Sequence, residues 1–133
     1  MKFKEIRFDA EYLYATDEAG RTWKQSLLWY PSLKAASDEE RNDYKVGVDG
    51  FHWRKLDEDI SFESFGYEDA IPSPFQEFFL THKEINIAEF AKRIGMNATL
   101  LRNYINGFKK PSERRIQAIL EEIRKLGEEY ISA

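Results

Sequence analysis

Two hydrophobic periods divide the chain. Up to about residue 70, aromatic and β-branched residues recur at every second position in short runs, the pattern of half-buried strands. Phe3 to Phe8 and Tyr12 to Thr16 read as two strands. Asp17-Glu-Ala-Gly20 is a turn that Gly20 can close at positive φ, and Arg21 to Leu27 returns as a third strand. Pro31 ends the alternation, and Ser32 to Asn42, with Leu33, Ala36 and few turn formers, predicts a short helix. Tyr44, Val46 and Val48 alternate again, Asp49-Gly50 marks a turn, and Phe51 and Trp53 continue on one face. Beyond Trp53 an acidic turn is expected to lead into a helix capped by Ser61.

The stretch from Gly66 to Pro74 carries neither period and holds two prolines, so it predicts a boundary between a domain at 1–70 and another at 71–133. After Pro74 the period becomes helical. Ser73-Pro-Phe-Gln76 combines an N-cap serine, proline at the first helical position and glutamine three residues after the cap. Asn86-Ile-Ala-Glu89 repeats that box, Asn97 can cap a third helix, and Pro111-Ser112 opens a fourth. Ile116, Ile119, Leu120, Ile123 and Leu126 form one apolar stripe on that last helix, which is expected to end at Gly127. The fold class is therefore α+β: a small antiparallel sheet with one or two helices, followed by an all-α domain of four to five helices.

Composition changes this picture little until the halves are counted apart. The chain has 133 residues, 42% hydrophobic and 33% charged, which describes a soluble globular protein, and a net charge of -4. Residues 1–70 hold ten lysines and arginines against sixteen acids, whereas residues 71–133 hold ten against eight. Within 92–115 there are seven bases and one acid, a segment suited to contacting phosphates. There is no cysteine, so neither a disulfide nor a thiolate metal site can form. No apolar run pairs with a cleavage signal in the first thirty residues and none reaches transmembrane length, so the expected setting is the cytoplasm, away from membranes.

Between Ile87 and Asn106 the spacing of residue types is what carries meaning. Ala91 stands where two helices cross closely, and Gly95, four residues later, can take the left-handed conformation that ends the first of them. Phe90, Ile94, Met96, Leu101 and Tyr104 then point inward. This pattern resembles the Cro and lambda-repressor family of helix-turn-helix domains over roughly residues 75–127, and Asn106-Gly107-Phe-Lys-Lys-Pro-Ser112 resembles that family's NGxxxPS loop. The resemblance implies a helix at 98–106 lying in the major groove of duplex DNA with its N-terminal part toward the bases. Asn97, Ala98, Thr99, Arg102, Asn103 and Asn106 are then the candidates for base readout. Arg102 suits guanine, Asn103 suits adenine, and Ala98 or the Thr99 methyl suits a thymine methyl. Lys109, Lys110 and Arg114 would hold phosphates. Many members carry glutamine where Ile87 stands, so anchoring here leans more on backbone amides and lysines.

In the first half, Gly50-Phe-His-Trp-Arg-Lys-Leu-Asp-Glu-Asp-Ile-Ser61 is the densest constellation. His52 near Asp57, Glu58 and Asp59 raises a metal or catalytic reading, but consecutive acids on an extended chain face alternate sides and no second histidine lies nearby. With Trp29-Tyr30-Pro31-x-Leu33-x-x-Ala36 and Arg41 upstream, the segment resembles an uncharacterised bacterial family of small α+β domains with the signature HWxxLDEDIS. That resemblance implies a characteristic loop of His52, Trp53, Leu56, Asp57, Asp59 and Ser61, structural or partner-contacting. It also implies that some members carry a C-terminal helix-turn-helix and that some are encoded beside a small toxin-like partner. The expectation is a bacterial transcriptional regulator, antitoxin-like in organisation, without cofactor or catalysis. Its expected partners are double-stranded DNA and, through an acidic first domain that serves dimerisation or partner binding, a second copy of itself as a homodimer or a small protein. The alternative is a protein interaction module, or an antitoxin that does not touch DNA.

Overall fold

A computed structural model of the chain describes residues 2–133, which divide into two compact units that meet between Pro72 and Ser73. The first unit is a small antiparallel β region with short helices and the second is helical, so the class is α+β.

Unit 1 holds two three-stranded antiparallel sheets. The first joins β1 (Phe3–Phe8), β2 (Tyr12–Asp17) and β3 (Thr22–Ser26) with β2 in the middle, and Gly20 closes the second turn at φ +84°. The second joins β4 (Lys45–Val46), β5 (Gly50–Trp53) and β6 (Glu58–Ser61) with β5 in the middle. Between them lie a 3-10 turn at Leu27–Trp29, α1 (Pro31–Lys34) and α2 (Asp38–Asn42), and a second 3-10 turn at Glu63–Gly66 follows β6. Both sheets feed one core. Leu13 and Ala15 come from β2, Phe51 and Trp53 from β5, and Ile60 from β6, joined by Phe62 and Phe65, all nearly inaccessible to solvent. Phe3 and Ile6 both reach this core although they are three residues apart, because the β1–β2 register shifts between Phe3 and Glu5. That bulge re-aims one side chain, and Phe3 then packs within 5.0 Å of Phe65 and 5.3 Å of Phe62 between ring centres.

Three expectations for this unit are corrected. The helix expected over Ser32–Asn42 is two helices, because Ser37 and Glu40 form a reciprocal capping box that starts a new one. Residues 58–61 are not a turn leading into a helix but strand β6, held in register with β5 by pairs such as His52 with Asp59 and Phe51 with Ile60. Ser61 still accepts from the Ser64 amide at 3.2 Å, so its capping chemistry is used one turn later than its strand position would suggest. Val46 and Val48 do not continue the buried face: they are exposed, and Tyr44 alone of that run packs against the core.

Unit 2 contains α3 (Pro74–Thr81), α4 (Ile87–Arg93), α5 (Ala98–Ile105) and α6 (Glu113–Ser132). Every start is capped by the side chain of the preceding residue. Ser73 and Gln76 form a full capping box, while Asn86, Asn97 and Ser112 each accept from the third amide of their helix. Helix α5 packs on both α3 and α4 through Leu101, Tyr104 and Ile105, which are buried. The end expected at Gly127 is a further correction, since α6 continues through that glycine to Ser132. One interior glycine costs a helix about 1 kcal/mol, too little to stop propagation into a good helix-forming run. None of the helices among the described residues is long and apolar enough to cross a membrane.

Candidate functional site

In unit 2, the α4–α5 pair sets out the residues that could read a ligand. Helix α4 buries Phe90 and Ala91, the latter with no exposed surface, which lets the neighbouring backbone come close. Its end is drawn round by three backbone bonds: the Ile94 amide donates to Phe90, Gly95 to Lys92 and Met96 to Ala91. Gly95 takes φ +69°, in the left-handed region where a side chain is strained, and so turns the chain directly into α5. Ile94 and Met96 are half-buried beside Phe90 in sequence, as their inward assignment requires. Ile87 is also half-buried, consistent with an apolar role for that position.

On α5, Thr99, Arg102, Asn103 and Asn106 recur at helical spacing and fall on the face opposite Leu101, Tyr104 and Ile105. Thr99, Arg102 and Asn106 are exposed, Asn103 and Ala98 half-buried. Asn97 is exposed, but its Oδ1 accepts from the Leu100 amide at 3.1 Å, so that oxygen is spent on the cap. The Arg102 guanidinium has no hydrogen bond or ion pair with any described residue, which leaves all its donors outward. The loop that follows is shaped by the Asn103 carbonyl, which accepts from the amides of Phe108 at 2.9 Å and Lys109 at 3.2 Å. Lys109, Lys110 and Arg114 are all exposed. So is Phe108, at 80% of its surface, a residue that sequence reading passed over because a single loop aromatic carries no periodicity. Arg93, a further base of this segment, pairs with Glu129 of α6 at 2.8 Å.

In unit 1, the signature residues separate into two groups. Trp53 is 1% exposed and its Nε1 donates to the Arg41 carbonyl at 2.8 Å. Arg41 is itself buried: Nε donates to the Leu33 carbonyl, one terminal nitrogen to Lys34 and the other to Asp9, at 2.8, 3.0 and 3.2 Å. Leu56 packs against the core, and Asp57 closes the β5–β6 turn at φ +50°, a conformation aspartate tolerates better than most side chains. His52 and Asp59 differ, lying opposite one another on the outward face with Nδ1 and Oδ1 2.6 Å apart, while Nε2 stands 3.6 Å from Asp49. Asp57 and Glu58 do not join that pair: Asp57 belongs to the turn, and Glu58 accepts from the Ser32 hydroxyl at 2.9 Å. No group of three metal-ligating side chains forms among the described residues.

Behind the signature runs a buried polar chain. The Tyr30 hydroxyl donates to Gln25 Oε1, Gln25 Nε2 donates to Ser64 Oγ, and Ser64 Oγ donates to the Ser61 carbonyl, each at 2.7 Å. Burial pushes the Tyr30 phenol up to about 12, so it stays a donor. Asp17 is a second inward polar group. Its carboxylate accepts from Trp23 Nε1, from the Arg21 amide and from Arg21 Nε at about 3 Å each, and the Trp23 bond together with those from Arg21 holds it down at about 2.

A protein-family model described as Protein of unknown function (DUF2442) matches residues 3–69, half of the chain. The chain belongs to this family. The DUF2442 match spans unit 1 from β1 to the segment after β6 and ends before α3, so α3–α6 lie outside it. No curated protein and no solved structure matches the chain. Within the DUF2442 region, Trp53, Leu56, Asp57 and Arg41 build the fold, and His52 and Asp59 pair with one another on the outward face.

Proposed function

We propose that this protein binds duplex DNA in a sequence-specific way through α5, as a transcriptional regulator whose α4–turn–α5 acts as a helix-turn-helix of the lambda-repressor type. The observation that carries this reading is the outward face of α5, where Thr99, Arg102 and Asn103 stand together and the Arg102 side chain has no partner among the described residues. A helix entering the major groove needs such a face backed by a fixed apolar one, and Leu101, Tyr104 and Ile105 supply the backing. Arg102 reaches guanine O6 and N7, Asn103 the adenine edge, and Ala98 or Thr99 a thymine methyl. Lys109, Lys110 and Arg114 follow at the end of the helix, where phosphate contacts fix register without reading bases.

Selection from random duplexes, followed by gel-shift titration, tests the proposal. Binding should be strongest near 50 mM salt, roughly the low-salt end at which phosphate contacts dominate, and should weaken steeply as salt rises. Arg102→Ala should cost about 1 to 3 kcal/mol on the selected site and relax its preference at one position, with the helical circular dichroism unchanged. Lys109→Ala should weaken binding to all sequences alike. A chain that shows no salt-sensitive duplex binding at low salt is not a DNA-binding regulator.

A further inference from the structure

We infer that Phe108 is a wedge against duplex DNA: as α5 docks, the ring enters at one base step beside the bases that α5 reads and partly unstacks it. This role rests on α5 binding duplex DNA and adds to that binding a local deformation of the duplex. The chain has ten phenylalanines, and nine of them are buried or half-buried. Phe108 keeps 80% of its surface in water. Its surroundings are cationic rather than apolar. Lys109 and Lys110 follow it directly, Arg114 and Arg115 lie in the first turn of α6, and all four are exposed, with Glu113 the one acid among them. A bare ring set among cations fits a polyanion that also offers flat apolar faces. Duplex DNA offers both, phosphates along its edge and base faces within the stack.

A wedge works only if the backbone behind it does not yield, and this loop is held at both ends. The amides of Phe108 and Lys109 both donate to the Asn103 carbonyl, at 2.9 and 3.2 Å, after Gly107 has turned the chain at φ +81°. Pro111 keeps Lys110 away from helical backbone, and Ser112 accepts from the Arg115 amide at 3.1 Å to fix the start of α6. The ring is thus carried on the same braced piece as Asn103 and Arg102, and reaches the duplex whenever they do. Burying the exposed part of one phenylalanine recovers free energy of the same order as unstacking one base step costs. The identity of the step then decides the balance. Pyrimidine–purine steps unstack most easily, so a TA or CA/TG step is favoured at a position that no polar side chain reads.

Permanganate, which oxidises thymines only where their faces are uncovered, tests this on duplexes selected from a random pool by the full chain. The selected sites should share a TA or CA/TG step at a fixed offset from the bases that Arg102→Ala ceases to discriminate, and a thymine of that step should become reactive on binding. Phe108→Ala should abolish the reactivity and weaken binding about tenfold, with helical circular dichroism unchanged. Phe108→Leu, which keeps an apolar wedge, should stay reactive and bind within about threefold of wild type. Phe108→Lys should lose the reactivity although it adds a charge for phosphate. A chain that binds no duplex overturns the reading of α5 and the wedge with it. A chain that binds while every thymine stays protected overturns the wedge alone, as does a Phe108→Ala variant that binds and unstacks like wild type. Protected thymines together with a DNA-free dimer that Phe108→Ala dissolves in sedimentation velocity would also overturn it, assigning the ring to a second copy of the chain.

Discussion

Replacing Arg41 by methionine tests how unit 1 is held together. The guanidinium donates to three carbonyls, those of Leu33, Lys34 and Asp9, and lies 5.4 Å over the Phe8 ring. It therefore ties the end of α1 to the β1–β2 connection from inside. Methionine keeps most of the apolar stem but none of the donors. Each charge-assisted bond contributes about 1 to 1.5 kcal/mol after water has taken its share, and the cation over the ring about 0.5 kcal/mol more. The expected loss is thus about 3 to 5 kcal/mol, comparable to the whole stability of a unit of this size. Arg41→Lys should recover about 1 kcal/mol at most, because one ammonium on a flexible stem cannot span three carbonyls.

The chain separates the readouts. Trp23, Trp29 and Trp53 all precede residue 73, so tryptophan fluorescence follows unit 1, whereas ellipticity at 222 nm is dominated by α3–α6. Urea titration should show the fluorescence transition of Arg41→Met moved to much lower denaturant, or lost, with the helical transition nearly in place. A fluorescence shift worth less than about 1 kcal/mol would refute the reasoning, as would an Arg41→Lys variant as stable as wild type.

Two further predictions follow from local geometry. Asp17 titrates at about 2 when folded against 3.8 otherwise, so the stability it contributes is fully present above pH 3.8 and disappears as pH falls toward 2. Carboxyl 13C NMR should place its midpoint near 2, Asp17→Asn should flatten the acid limb of the fluorescence transition, and a folded midpoint near 3.8 would contradict the bonding described. Gly95→Ala should destabilise unit 2 by about 1 to 2 kcal/mol through backbone strain alone, since a Cβ there meets no neighbour. Thermal melts followed at 222 nm measure it, and an unchanged melt would mean that the turn does not need φ +69°.

Local signals made much of this fold legible. Helix starts were readable because a capping side chain acts within three residues, and β1 to β3 because alternation and the Gly20 turn lie within one short stretch. What escaped depends on distant partners. The bulge that turns Phe3 and Ile6 to one side exists only against β2. Strand β6, reading as an acidic turn, forms because β5 holds its register and only Ile60 needs to face inward. Arg41, a charged residue in a polar run, gives no hint that three carbonyls wait for it. On α5 helical spacing alone put Arg102 and Thr99 outward, while the double meaning of Asn97, cap or reader, needed the cap bond to be seen.

A family signature can mark an activity or a way of folding, and here it is mostly the second. Trp53 and Leu56 fill the core, Asp57 makes the turn that lets β5 and β6 pair, and Arg41 holds α1. Residues so engaged cannot be released to meet a ligand without loosening unit 1, because their bonds and packing are the ones that keep the sheets together. Function must then come from side chains that the fold does not consume. In unit 1 those are His52 and Asp59, exposed and bound chiefly to each other, a pair whose contribution to stability at the surface is about 1 kcal/mol or less. In unit 2 they are Thr99, Arg102 and Lys109, backed by a rigid apolar face but unengaged themselves. The two sets belong to two different compact units, Thr99, Arg102 and Lys109 to the one that starts at Ser73.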